Sequence, residues 1–331
     1  MAEAKTNRPV IGITMGDAAG IGPEIVLKSL MDAEIRSDYR CVFIGDGRHL
    51  RNLAELRKVD LKITEFGDEE GDAVEVYDLG NLPATFETGT DQAATGKASA
   101  EYIESAVKLW RDGRIDAIAT APISKKAIAL GGYDYPGHTE FLAELTSTEK
   151  FAMSFFAAKL RVVLLTTHIS LAHAIDRVTT EALIDRITFA DKTLGELLGR
   201  KINIAVAGLN PHASEGGMFG SEEAERITPA IVRCRDLGID VSGPFAPDTI
   251  FLRGFKGDFD AVIALYHDQA TIAVKSLSFG SGVNVTLGLP LIRTSVDHGT
   301  AYDIAGKWQA DESSMQAAIR LAGELASRKY S

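Results

Sequence analysis

Three histidines, His168, His212 and His267, each follow an apolar run: Arg161–Thr167, Ile202–Asn210 and Ala261–Tyr266. In open α/β sheets, ligands bind just outside the C-terminal ends of such strands. Three imidazoles converging there would make a His₃ site with a position left for a substrate oxygen on a divalent metal. The alternative is three isolated polar residues, because spacings of 44 and 55 residues form no local motif and HExxH is absent. His173 lies five residues from His168, a poor helical pairing, and is left out; His49 sits in a polar, helix-like stretch and is expected at the surface. Asp268 follows His267 directly, and with Asp248 it is the nearest carboxylate for proton transfer or for orienting a ligand. Lys275 and Arg293 suit a phosphate or carboxylate, Arg293 as a bidentate clamp, and Asn284 lies between them.

Two glycine-containing segments could serve a cofactor. Met15–Glu24 carries Gly16, Gly20 and Gly22, a spacing that is not GxGxxG, and no GxxxxGK[ST] occurs. Neither a Rossmann fingerprint nor a P-loop is therefore present. The segment does lead into a helix N-terminus, where backbone N–H groups and the dipole favour anions. Asp297–Gly306 has the polar, small-residue character of a nucleotide-binding loop. Gly208–Gly217, around His212, is a strand-to-helix connection in which Gly216 and Gly217 permit close backbone approach.

The elements that must position these residues read as alternating strands and helices. Strand-like runs are Val10–Met15, Cys41–Gly45, Ala117–Ala121, Phe151–Ala157, Arg161–Thr167, Ile202–Gly208, Ala261–Tyr266 and Val283–Leu287. Most are continuously apolar, which suits parallel strands covered on both faces. Helical patterns occupy Gly22–Leu30, Lys97–Arg111, Thr180–Leu198 and Glu222–Leu237; the last helix begins near Ser313, where Ser313 and Gln316 fit a capping box. Such alternation predicts an α/β fold. Gly67–Asp72 reads as a solvated acidic loop.

With 331 residues the chain is long enough for two domains. Its 35 Lys and Arg against 46 Asp and Glu give a net charge of −11, which disfavours a nucleic-acid or anionic-membrane partner while leaving room for local cationic sites. Cys41 and Cys234 stand far apart without CxxC, so core packing is expected of both. Met1–Arg8 is polar, without the apolar stretch of a secretory signal, and no membrane-length apolar run occurs; a cytoplasmic location is expected.

Five blocks resemble the 4-hydroxythreonine-4-phosphate dehydrogenase family of vitamin B6 biosynthesis: Gly16–Glu24, Pro136–Glu140, Asn210–Gly217, Tyr266–Gln269 and Gly282–Gly306. They keep the family order across nearly the whole chain, and the last, beginning Gly-Val-Asn-Val-Thr-Leu-Gly-Leu-Pro, is the most specific. The resemblance implies an isocitrate/isopropylmalate-dehydrogenase-like fold, two α/β domains around a central cleft with a non-Rossmann dinucleotide site. The expected division is 1–130 with 295–331, and 131–294. Ala18 stands where the family usually has Pro, and Ser214 where Gly is common.

The resemblance also implies the chemistry. The family oxidises the secondary alcohol of a phosphorylated hydroxy acid with NAD or NADP, and the β-keto acid then loses CO₂; 4-phosphooxy-L-threonine gives 3-amino-2-oxopropyl phosphate. His168, His212 and His267 match the ligands of a divalent metal (Zn, Mg or Co) in a site shared between the subunits of a homodimer. His138, Thr139, Lys275, Asn284 and Arg293 match substrate contacts. Gly299, Thr300, Asp303 and Gly306 fall in the counterpart of the superfamily's adenosine loop, His298–Lys307. The general base stays open among Asp268, Asp248 and Lys275. Related readings are a paralogue acting on D-threonate or D-erythronate 4-phosphate, an aromatic cis-dihydrodiol dehydrogenase and, in another class, a non-catalytic metabolite-binding protein.

Overall fold

Strands that bury both faces need helices on either side of the sheet, and the computed structural model has that α/β architecture. It describes residues 8–68, 71–278 and 280–328. Of the polar start Met1–Arg8 only Arg8 is therefore described; positions 69 and 70 of the acidic loop lie outside the described residues, and the rest of that loop is exposed. The chain forms two compact units, Met1–Glu149 with Leu289–Ser331, and Lys150–Gly288.

The strands are β1 (Val10–Thr14), β2 (Arg40–Gly45), β3 (Ile63–Glu65), β4 (Val74–Asp78), β5 (Ala117–Thr120), β6 (Ala152–Ala157), β7 (Leu160–Leu164), β8 (Ile204–Ala207), β9 (Val241–Phe245), β10 (Ala261–Ala264), β11 (Val283–Leu287) and β12 (Ile292–Ser295). In the first unit they run β3-β4-β2-β1-β5-β12, all parallel. Every residue of β5 and β12 is buried, and helices Ala93–Arg111 and Ser313–Ser327 pack on this sheet. Helix His138–Leu145 packs on Ala93–Arg111 and so belongs to the first unit, as does β12. His138, Thr139 and Arg293 thus lie in the first unit, whereas the sequence division assigned them to the second.

In the second unit the order is β11-β6-β7-β10-β8-β9. β7, β10, β8 and β9 are parallel, but β11, β6 and β7 pair antiparallel. The parallel reading is corrected for Phe151–Ala157 and Val283–Leu287, and Arg161–Thr167 is parallel to β10 but antiparallel to β6, to which a short link joins it. Only Ala158 and Lys159 separate β6 from β7, a connection that can close an antiparallel hairpin but no parallel crossover. Apolar side chains of β6, β7, β8 and β10 form this unit's core with Ile250, Phe251 and Val274.

Several local expectations are revised. Helix Glu222–Leu237 divides into a π-helical turn, Glu223–Ile227, and an α-helix, Thr228–Asp236. Pro229 has no N–H to give the preceding turn and its ring crowds the carbonyl four residues back, which widens that turn. The last helix does start at Ser313, but without the capping box; Asp311 Oδ1 accepts from Ser313 N at 2.7 Å. His49 is half-buried with its ring centroid 5.5 Å from that of Phe86. β9 contains Gly243-Pro244, tolerated because it is an edge strand. Cys41 and Cys234 are both buried. No helix among the described residues is long and apolar enough to cross a membrane.

Candidate active site

In the second unit, His168 follows β7 and His267 opens helix His267–Ser278 directly after β10. Their ring centroids stand 5.4 Å apart. Two imidazoles on one tetrahedral ion, with metal–nitrogen bonds of about 2.1 Å, place their centroids about 5 Å apart, so this pair has the separation a shared metal requires. His267 Nδ1 lies 2.7 Å from Asp268 Oδ1. A carboxylate on Nδ1 fixes the tautomer and leaves Nε2 for a metal, which gives Asp268 an orienting role.

His212 is exposed within Pro211–Gly217, whose backbone is unusual. His212, Ala213, Ser214 and Glu215 all have φ between 47° and 66°. Each non-glycine residue in this left-handed region costs about 1–2 kcal/mol, a strain that surrounding contacts must hold. Among the described residues no three His, Cys, Asp or Glu side chains are gathered for a metal. The donor set thus fits a divalent ion through His168 and His267, and His212 is not assembled with them.

Asp248, in the first turn of helix Pro247–Lys256, and Asp268 line one cavity of about 530 Å³ with Phe251, Tyr266 and Gln269. Lys275 is exposed two turns further along the helix that His267 opens. Asn284 sits half-buried on β11, opposite Phe155.

In the first unit, Arg293 on β12 is 3 % exposed. β5 and β12 run in register, and Arg293 Nε and Nη2 donate to Thr120 Oγ1 at 3.2 and 3.0 Å. Burial pulls its pKa down to about 9, against the pull of Glu140, so it remains a cation at neutral pH. His138 opens helix His138–Leu145, and its Nε2 is buried without a hydrogen-bond partner. Burial, and then the charge of Arg293, hold its pKa well below the ordinary imidazole value. Thr139 beside it is buried. A buried cation, a neutral imidazole with an orphaned nitrogen and a hydroxyl together suit an incoming anion.

The glycine segments are joined within this same unit. Residues 16–24 are buried, and four of their N–H groups are bonded: Asp17 N to Pro122 O, Ala19 N to Asp17 Oδ1, Gly20 N to Asp17 O and Ile21 N to Thr300 O. The helix N-terminus expected to face an anion, Gly22–Glu24, is itself buried. A Cβ on Gly20 would meet Thr300 O at 2.8 Å, so this glycine sets how closely the two segments pack. Tyr302 donates to Asp17 Oδ2 at 2.6 Å. Gly299, Asp303 and Gly306 remain exposed on the outer side of the loop.

The chain matches the family model of pyridoxal phosphate biosynthetic protein PdxA over residues 37–322. It belongs to the PdxA family. A D-threonate 4-phosphate dehydrogenase from Cupriavidus necator is 47% identical over 97% of this chain and 98% of its own length. A 4-hydroxythreonine-4-phosphate dehydrogenase from Desulforapulum autotrophicum is 46% identical over 96% and 95%. A crystal structure of a 4-hydroxythreonine-4-phosphate dehydrogenase from Burkholderia phymatum, 46% identical, superposes with a TM-score of 0.84 over 96% of this chain and 98% of that one.

Membership of the PdxA family agrees with the resemblance carried by the five sequence blocks. Sequence reasoning missed Thr120, which bonds Arg293, and Glu223, which bonds the segment before His212, and gave Gln269 no role. The only signal for Thr120 was a polar residue at the end of an apolar run. Gln269 stood within the family block Tyr266–Gln269 without a role of its own, and Glu223 gave no signal, because its partners Leu209 and Asn210 lie on another segment.

Proposed function

We propose that this oxidoreductase of the PdxA family oxidises the secondary alcohol of a four-carbon hydroxy acid 4-phosphate with NAD⁺ or NADP⁺, with loss of CO₂ from the resulting β-keto acid. The observation that carries the reading is the buried Arg293 beside the orphaned His138 Nε2. Arg293, His138 and Thr139 bind an anionic end of the substrate. Lys275 neutralises its other charge and Asn284 orients a hydroxyl. The substrate's carbinol carbon gives hydride to the nicotinamide, and the hydroxyl proton passes to Asp268 or Asp248, or to Lys275 where its amine is neutral instead of paired with the substrate's other charge. A divalent ion (Zn, Mg or Co) held by His168, His212 and His267, when bound, would acidify that hydroxyl and accept electron density as the carboxylate leaves. Thr300, Gly299, Asp303 and Gly306 carry the adenosine side of the cofactor.

The working form is a cytoplasmic homodimer whose metal site is completed across the interface. Ile169, Leu171, Met218 and Phe219 are exposed apolar residues close in sequence to His168 and His212, a surface that a second copy would cover.

The substrate is 4-phosphooxy-L-threonine. The identity to the Cupriavidus necator enzyme favours a second reading, D-threonate 4-phosphate, which carries a hydroxyl in place of the amine. The test is formation of reduced nicotinamide with metal-loaded protein and each of these compounds, beside D-erythronate 4-phosphate, with and without EDTA. EDTA-sensitive turnover that prefers the amino acid supports the first reading. Preference for a sugar acid supports the second. Silence with all three overturns both.

A further inference from the structure

The three histidines sit on segments joined by a continuous chain of buried and part-buried hydrogen bonds. Thr166, two residues before His168, donates through Oγ1 to Leu265 O at 2.8 Å. Leu265, two residues before His267, donates through its N–H to Gln269 Oε1 at 2.7 Å. Gln269 Nε2 donates to Gly208 O at 2.8 Å, at the start of the segment that leads to His212. Glu223, 3 % exposed in the π-helical turn, continues the chain: its Oε1 accepts from Leu209 N at 2.8 Å and Asn210 N at 2.7 Å, and its Oε2 from Asn210 Nδ2 at 2.9 Å.

The geometry points to Thr166, Gln269 and Glu223 as positioning residues that set the mutual placement of His168, His267 and His212. Three features support this. Each side chain is buried and bonds backbone on a histidine-bearing segment, Glu223 adding a bond to the Asn210 side chain. Gln269 uses both of its amide atoms to link the β10 end to the β8 end, so it fixes distance and direction at once. The left-handed run beginning at His212 needs an anchor on its N-terminal side, and Glu223 supplies three bonds immediately before it. The network is built from the protein alone, so it would preorganise the segments before any ion arrives.

The inference rests on the metal reading proposed above, and the experiment separates the two. Zinc affinity is measured by competition with a chromophoric chelator for the wild type, His212→Ala, Gln269→Leu, Thr166→Val and Thr166→Ser. The visible spectrum of each cobalt(II)-loaded protein reports its ligand set. Metal-free melting temperature identifies any variant that fails to fold. The expected result is about 10–100-fold weaker zinc binding and an altered cobalt spectrum for Gln269→Leu and Thr166→Val, with wild-type behaviour restored in Thr166→Ser, which keeps the hydroxyl. Should Gln269→Leu not fold, the near-isosteric Thr166→Val carries the decision. Wild-type protein that binds no zinc, or His212→Ala that binds it unchanged, overturns the metal reading. Wild-type binding that His212→Ala loses, but that folded Gln269→Leu and Thr166→Val both retain with unchanged spectra, overturns the positioning network alone.

Discussion

His138 is held neutral beside the Arg293 guanidinium, first by burial and then by that positive charge. The pair gives one fixed cation and one uncharged ring whose Nε2 awaits a partner. An anion entering here meets a charge already desolvated, where electrostatic attraction is stronger than in water.

Arg293→Lys keeps the charge and loses the planar fork that engages Thr120 Oγ1. A lost charge-assisted hydrogen bond costs about 1.5–3 kcal/mol, so the substrate KM should rise about 10–100-fold while zinc affinity stays unchanged. Steady-state kinetics beside a chelator competition assay check both; an unchanged KM contradicts the anion role.

Stability should fall as the solution is acidified. The folded-state pKa of His138 lies below its unfolded value of about 6.5. Between those two values the unfolded chain binds more protons, so unfolding free energy rises with pH across the window and is lost as pH drops below about 6.5. His49, lowered mainly by burial, acts with the same sign. Melting temperature measured from about pH 7 to about pH 5 should decline less steeply in His138→Gln than in the wild type. Parallel curves would show that His138 does not titrate differently on unfolding.

Removal of divalent ions should abolish turnover. Treatment with EDTA, followed by return of zinc, cobalt or magnesium, should eliminate and then restore formation of reduced nicotinamide. His267→Ala removes one ring of the 5.4 Å pair and should weaken metal retention at least about 10–100-fold, read as metal content after dialysis. Full activity in EDTA would refute metal dependence.

Gly20→Ala tests the cofactor loop from behind. The added Cβ would lie 2.8 Å from Thr300 O and 2.9 Å from Thr300 Cβ, so the loop must move. Overpacking of this kind costs about 1–3 kcal/mol. If Thr300 and its neighbours carry the cofactor, KM for NAD or NADP should rise about tenfold with zinc affinity unchanged; a lower melting temperature with normal cofactor KM would assign the loop a purely structural role.

The sequence by itself determined the α/β class, the bounds of some elements and the family. Helices Gly22–Leu30 and Thr180–Leu198 match residue for residue, because their apolar periodicity, Pro23 and Gly199 are local signals. Histidines at strand ends were legible for the same reason: a continuous apolar run ending in a polar residue needs no tertiary information. What lacked a local signature was decided by the tertiary structure. β12 reads Ile-Arg-Thr-Ser, a polar string, yet it is fully buried because β5 pairs beside it and Thr120 receives Arg293. The N-terminal glycine segment carried an anion signal, but it is buried and four of its N–H groups go to Pro122, Asp17 and Thr300, which no spacing rule connects. Side-chain contacts between segments a hundred residues apart, such as Thr166 with Leu265, depend on which strands become neighbours. Strand adjacency follows from how the whole chain buries its apolar surface, whereas helix and strand type follow from the pattern of a few consecutive residues.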